Sequence, residues 1–143
     1  MTMQIQAVVE NERGRHSVVL RTNEAVHSLS IAPRASGFGS VANGGELLCL
    51  ALATCYCNDV YREAAKRAVE VVGVAVEARA DFGEAGAAAS RLSYGVTVSA
   101  RAPEAAILDL IRHTDSVAEV QNTLRLGIPV RLETARAVTV DAT

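Results

Sequence analysis

The sequence of 143 residues is poor in aromatic side chains and has no excess of basic ones. It contains no Trp, two Phe and three Tyr, so it has few rings on which nucleic-acid bases would stack. Its 14 Lys and Arg residues are outnumbered by 16 Asp and Glu, which gives a formal net charge of -2 and predicts no basic surface for phosphate groups. Binding to nucleic acid is therefore not expected.

Long hydrophobic runs are also missing. The longest uncharged apolar stretch, residues 47–57, is too short to cross a bilayer, because a spanning helix needs about 20 apolar residues. The first ten residues, MTMQIQAVVE, lack the basic start and the apolar core of a secretory signal peptide. The sequence therefore predicts a cytoplasmic protein that does not bind a membrane.

What the chain has in abundance is small aliphatic side chains. Hydrophobic residues make up 50% of the sequence and charged residues 21%, with a mean hydropathy of +0.19. This composition is typical of a compact protein with a strongly apolar interior or interface, and it argues against disorder. Because the length suits one domain, we expect residues 1–143 to form a single domain.

The hydrophobic pattern predicts an α+β fold with the element order β-β-β-α-β-β-α-α-β. Apolar or period-two segments between turn residues predict strands at 3–10, 16–22, 25–33, 69–82, 91–101 and 128–140. One helix is predicted over residues 47–68, and a second is expected to open at Pro103. A third, short helix has a Ser-x-x-Glu capping spacing at 116–119 and Gly127 as its expected C-cap.

The first predicted helix follows a loop rich in Gly, Ser and Ala at residues 34–45. Asn43 and Glu46 have the spacing of a capping box, in which each side chain binds the backbone N–H group of the other residue. The first half of the helix is apolar on every side, whereas the second half, YREAAKRAVE, has a charged face. We therefore expect this helix to begin in the buried core and to end in solvent.

All three cysteines lie in this helix, within the nine residues CLALATCYC. Their odd number argues against a framework of structural disulfides. Cys55 and Cys57 are about 200° apart around the helix axis, and Cys49 and Cys57 are about 12 Å apart along it, beyond the roughly 7 Å that a disulfide spans. The helix therefore prevents these disulfides. It also keeps the three thiols from binding one zinc ion together. The three histidines are not spaced as metal ligands usually are. We therefore predict neither a metal site nor a cofactor.

Either one of these thiols is reactive or all three are inert. Reactivity requires a lowered thiol pKa, and Cys55 lies too far inside the helix to feel its N-terminal dipole. Asp59, one turn later, would oppose ionisation if it faced the same cavity. The helix alone therefore does not activate Cys55, and a cation would have to come from Arg34 in the loop or from Arg13 or Arg15 in the first turn. Because cysteine is also common as a plain buried residue, an inert role stays open.

The segment NGGELLCLALATCYCND, after three predicted strands, resembles the central helix of the OsmC/Ohr family. In that family the reactive cysteine follows the glutamate of a Glu-Leu-Leu start by nine residues, and Glu46 and Cys55 have this spacing. The later segment SVAEVQNTLRLGIPVRLE resembles the family's closing helix and strand, so the resemblance covers nearly the whole chain. It implies an intertwined homodimer in which antiparallel sheets wrap around central helices. It also implies a peroxiredoxin-like thiol peroxidase that acts on organic or hydrogen peroxides, with Cys55 as the attacking thiol.

The chain lacks the second cysteine of this family. That cysteine falls in a Cys-Pro-Val type run before the NTLR segment, where this sequence has Ala118-Glu119-Val120. What remains is a one-cysteine cycle, in which an external thiol reduces the sulfenic acid of Cys55. The alternative is a non-enzymatic OsmC-like protein that binds a small apolar ligand or senses oxidants.

The carboxylate and the arginine of the family site are matched less closely. The activating carboxylate falls one residue before Glu46, where this sequence has Gly45, so Glu46 is either a catalytic group or a helix cap. Arg34 is the best match to the arginine by spacing, and Arg13 is the second. The resemblance therefore implies Cys55, Arg34 and Glu46 as catalytic residues.

Overall fold

The structure is a computed structural model of the chain, and it describes residues 2–140. Within this range the elements follow in the order β-β-β-α-β-β-α-α, which confirms the α+β fold class. The strands are β1 (Ile5–Glu12), β2 (Arg15–Thr22), β3 (Ala25–Ser28), β4 (Glu70–Asp81) and β5 (Arg91–Arg101). The helices are α1 (Gly44–Lys66), α2 (Glu104–Val117) and α3 (Glu119–Leu126). None of these helices combines the length and the apolar composition that a membrane span needs.

The described residues form two compact units. The first unit runs to Ala51 and includes Ala78–Ser93, and the second comprises Leu52–Glu77 and the chain from Tyr94 onwards. In the first unit, β1, β2 and β3 form an antiparallel sheet in which Ile5 is opposite Thr22. All eight residues of β1 are exposed in the single chain.

The second unit contains a small apolar core. Tyr56, Val60 and Ala64 of α1 and Leu110 of α2 are buried together, and the rings of Tyr56 and Tyr94 pack with their centroids 5.3 Å apart. Valine side chains from the sheet of β4 and β5 lie half-buried against this cluster: Val71, Val74, Val76, Val96 and Val98. The β-branched residues that predicted these two strands therefore supply one wall of the core.

Helix α1 begins with the predicted capping box. The Asn43 N–H group donates to Glu46 Oε1 at 2.9 Å, and the Glu46 N–H group donates to Asn43 Oδ1 at 2.8 Å. The prediction that the helix begins in the core is wrong for the single chain, because Leu47 and Leu50 are 36% and 50% exposed. Its end is exposed as predicted, at Ala65 and Lys66. The buried residues of the helix lie from Leu52 to Ala64.

The predicted strand at 128–140 is absent from the structure. These residues contain neither helix nor strand. Their large apolar side chains are exposed, and the exposed fraction is 87% for Leu132 and 100% for Val130. Alternating apolar residues form a strand only when a sheet edge pairs with them, and none of the described strands does so in the single chain.

Of the two predicted ends of α3, the N-terminal one is wrong and the C-terminal one is confirmed. Ser116 does not cap this helix, because α2 continues past it and the Ser116 hydroxyl donates to the His113 carbonyl at 2.6 Å. Ala118, which has no side-chain acceptor, is the N-cap residue instead. Gly127 is the C-cap as predicted, with φ +64° and an N–H group that donates to the Leu124 carbonyl.

Candidate functional site

The Cys55 thiol lies half-buried beside the first turn of α3. It donates to Asp59 Oδ2 at 3.4 Å and faces Glu119 Oε1 at 3.8 Å. Asp59 follows Cys55 by four residues on α1, so the two side chains share one face of the helix. The break between α2 and α3 at Ala118 sets Glu119 at the start of the shorter helix, where it reaches the same thiol.

Arg62 holds the two carboxylates together. Its Nη1 donates to Asp59 Oδ1 at 3.1 Å and to Glu119 Oε2 at 2.8 Å. Asp59 is 6% exposed, whereas the Glu119 side chain is 61% exposed. The positive charge of Arg62 is therefore directed at the two carboxylates.

The surroundings of Cys55 favour the protonated thiol. Burial raises the pKa of Cys55, and the charges and hydrogen bonding of Asp59 and Glu119 raise it further. The backbone N–H group of Val120, in the first turn of α3, hydrogen-bonds to the sulfur and lowers the pKa in part. The expectation that Asp59 opposes ionisation of Cys55 is thus confirmed.

The two carboxyl groups have opposite tendencies. Burial and a hydrogen bond with Glu119 raise the pKa of Asp59. Burial acts on Glu119 in the same direction, but hydrogen bonds from Asp59 and Arg62 outweigh it and lower the pKa of Glu119.

A second ionic cluster lies one turn further along α1. Glu63 is 3% exposed and accepts hydrogen bonds from Arg62 Nε at 2.8 Å and Lys66 Nζ at 3.1 Å. Its other oxygen lies 2.7 Å from His113 Nε2. Arg62 is the main cause that lowers the pKa of Glu63 to about 2. The spacing of four residues from Cys55 to Asp59 and on to Glu63 thus places one thiol and two carboxylates along one helix face.

The thiol and its two carboxylates are donor groups of the kind that bind metal ions. One donor atom each from Cys55, Asp59 and Glu119 lies within 4.8 Å of the others. Arg62 already binds both carboxylates and neutralises part of their charge. A cation at this position would have to displace the guanidinium group, so the donor set alone does not make a metal centre.

Comparisons with known proteins identify the family. Residues 37–133, about two thirds of the chain, match the family model of OsmC-like protein. The chain belongs to the OsmC-like protein family. Among curated proteins, none gives a significant sequence match.

Solved structures share the OsmC-like fold. An OsmC-like protein from Mycoplasma pneumoniae has a TM-score of 0.59 at 16% identity, over 87% of this chain and 88% of that one. An OsmC-like protein of unknown function from Vibrio cholerae has a TM-score of 0.55 at 17% identity, over 86% and 94%. An organic hydroperoxide resistance protein OsmC from Legionella pneumophila has a TM-score of 0.53 at 16% identity, over 87% and 90%. At these identities the likeness concerns the fold alone.

The other predicted catalytic residues of this OsmC-like chain belong to the first unit, whereas Cys55 belongs to the second. Arg34 donates from Nε to the Ser40 carbonyl at 3.1 Å. The Glu46 carboxylate makes the capping box of α1. The catalytic roles of Arg34 and Glu46 therefore stay predictions.

The alternative arginines also make contacts within the first unit. Arg13 stacks on the ring of Phe38, with 4.8 Å from its Cζ to the ring centroid. Arg15 pairs with Glu12 at 3.5 Å in an exposed ion pair. The choice between Arg34, Arg13 and Arg15 as a partner of Cys55 therefore stays a prediction.

Ala118, which the resemblance places where the family has its second cysteine, is fully buried. Cys49 and Cys57 are free and half-buried, as is Cys55. Sequence reasoning did not identify Glu119 and Val120 as neighbours of Cys55. The resemblance contained a signal, because these two residues come next after Ala118 in the chain.

Proposed function

We propose that this OsmC-like protein is a one-cysteine thiol peroxidase that reduces organic or hydrogen peroxides at Cys55. The observation that carries the proposal is the setting of Cys55, a half-buried thiol that contacts both a proton acceptor and the first turn of a helix. Family membership supports it, as does the shared fold with the Legionella protein named for organic hydroperoxide resistance.

The proposed reaction proceeds in two stages. The Cys55 sulfur attacks the outer oxygen of the peroxide, so that the O–O bond breaks and the thiol and ROOH become a sulfenic acid and ROH. An external thiol then condenses with the sulfenic acid to form a mixed disulfide and water. A second external thiol then attacks the mixed disulfide. This frees Cys55 and joins the two external sulfurs in a disulfide. With Ala118 at the family's second-cysteine position, both reducing equivalents come from outside the chain.

The active protein is proposed to be a homodimer in which a second copy covers the first half of α1. Leu47 and Leu50 are exposed there, and so are Val130 and Leu132 in the segment that follows α3. An apolar surface of this kind is costly in a monomer, and a second copy would bury it. Arg34, or else Arg13, is then proposed to bring the positive charge that Cys55 needs for ionisation. We propose the cytoplasm as its location, since its reducing conditions keep thiols free.

Stopped-flow mixing of the reduced protein with cumene hydroperoxide tests this function. We expect oxidation at least about 100-fold faster than that of free cysteine, because active sites speed such proton-assisted steps by that order. Dimedone trapping and mass mapping should place the sulfenic acid on Cys55. Cys57→Ser is the matched control and should react like the wild type, whereas Cys55→Ser should not react. A wild-type rate equal to that of free cysteine would contradict the proposal.

A second candidate function is binding of a small ligand without chemistry. A cavity of about 610 Å³ in the first unit favours it, and its lining includes Cys49, Glu46, Phe82 and residues 78–81 of β4. The test is the melting temperature of Cys55→Ser with and without a hydrophobic dye or a fatty hydroperoxide. A rise in melting temperature on a protein that lacks peroxidase activity would favour binding over catalysis.

A further inference from the structure

Within the second unit, the side chains that contact the Cys55 thiol are two carboxyl groups. The thiol lies 3.4 Å from Asp59 Oδ2 and 3.8 Å from Glu119 Oε1, while Arg62 binds the far oxygens of both carboxyl groups. If the site only needed a thiolate, two carboxylates at these distances would hinder it. A reaction that removes a proton from the thiol and delivers it to a leaving group gives these groups a purpose.

The two carboxyl groups lie side by side at the sulfur. One oxygen of each and the Cys55 sulfur lie within 4.8 Å of one another. Asp59 is 6% exposed, whereas the Glu119 side chain is 61% exposed. The pair thus places one buried and one exposed proton acceptor beside the same thiol.

We propose that the carboxylates of Asp59 and Glu119 carry the proton of the peroxide reaction at Cys55, an inference that rests on the proposed function. The pair accepts the thiol proton as the sulfur attacks the outer oxygen of ROOH. It then gives this proton to the leaving RO oxygen as the O–O bond breaks. The products are the Cys55 sulfenic acid and ROH, and both carboxylates end in the state in which they began.

Arg62 is a positioning residue in this proposal. It touches neither the thiol nor the peroxide, but its Nη1 bridges the two carboxyl groups and fixes their separation. The backbone N–H group of Val120 lowers the pKa of Cys55 in part and so favours the charge that develops on the sulfur. The groups that face Cys55 from α1 and α3 are therefore Asp59, Glu119 and this amide.

The decisive comparison is between two reactions of the same thiol. Alkylation by iodoacetamide needs only the thiolate, whereas peroxide reduction also needs a proton for the leaving group. In Glu119→Gln, loss of a negative charge should speed alkylation of Cys55 at pH 7. Peroxide reduction should slow by about 100-fold, a usual loss when a general acid or base is removed. Glu104→Gln, in the first turn of α2, is the control and should change neither rate.

Asp59→Asn should also lose peroxide rate while alkylation is kept or increased. Because Asp59 is buried, the fold of the Asp59→Asn variant must be checked by circular dichroism. If that variant unfolds, Glu119→Gln still tests the proposal, because the Glu119 side chain is exposed. Peroxide and alkylation rates that rise together in Glu119→Gln would overturn the proton transfer by this pair and leave the peroxidase intact. A wild-type protein no faster than free cysteine would instead overturn the proposed function and this inference with it.

Discussion

In the single chain the burial of helix α1 changes at Leu52. The apolar half before Leu52 has no buried residue, and Leu50 is 50% exposed. The second half, from Leu52 to Lys66, contains all six buried residues of the helix, which include the charged Asp59 and Glu63 at 6% and 3% exposure. These two carboxylates are buried because they find cationic partners, and the apolar half is exposed because the single chain offers it no cover. The polarity of a side chain therefore does not predict its burial by itself, because burial also depends on the partners that are available to it.

The largest effect is expected from a charge placed on the apolar half. Leu50→Glu should turn the proposed dimer into a monomer, because burial of an unpaired carboxylate costs several kcal/mol, equivalent to about 100-fold or more in dimer affinity. Light scattering should then give the mass of one 15.0 kDa chain in place of two. Ala65→Glu, at an exposed position in the second half, is the control and should leave the mass unchanged. A dimeric Leu50→Glu protein would show that no second copy covers this half.

A smaller effect is expected from the apolar contacts of the second half. Leu110 is fully buried against Tyr56, Val60 and Ala64, so Leu110→Ala should lower the free energy of unfolding by about 3 kcal/mol. Leu108 lies on the same helix and is 38% exposed, and Leu108→Ala should cost under about 1 kcal/mol. Urea unfolding of the two variants measures the difference. Equal losses would mean that the burial of the second half is not what stabilises it.

The smallest effect at neutral pH is expected from the ionic contacts of the second half, and it should depend on pH. The pKa of Glu63 is lowered from 4.5 to about 2 by Arg62, His113 and Lys66. A lowered pKa means that the carboxylate stabilises the fold above pH 4.5 and that this contribution disappears as the pH falls towards 2. Glu63→Gln should therefore be less stable than the wild type at pH 7, and the two should converge near pH 2.

Urea unfolding at pH 7, 5 and 3 measures this convergence. Glu70→Gln serves as the control, because Glu70 makes an exposed ion pair with Arg101 at 3.4 Å and such pairs contribute little to stability. Its difference from the wild type should stay small at every pH. A Glu63→Gln deficit that persists at pH 3 with its full size would indicate lost packing rather than lost charge.

Features that depend on local geometry could be predicted from the sequence. The capping box of Asn43 and Glu46, the C-cap at Gly127 and the separation of the three thiols on one helix each follow from residues close in the chain. The contact between Cys55 and Glu119 could not be read from local spacing, since 64 residues separate them. The exposed state of α1 and the unpaired residues 128–140 could not be predicted either, because they depend on a surface that the single chain does not supply.

The spacing of four residues from Cys55 to Asp59 and on to Glu63 also restricts how this protein can change in length. One inserted residue between Cys55 and Glu63 would rotate everything beyond it by about 100° and separate the thiol from its carboxylate or the carboxylate from its cations. The connection between β4 and β5 faces no such demand, since Gly83 and Gly86 have open space around them. Insertions and deletions in relatives of this chain should therefore collect in that connection and be rare in the second half of α1.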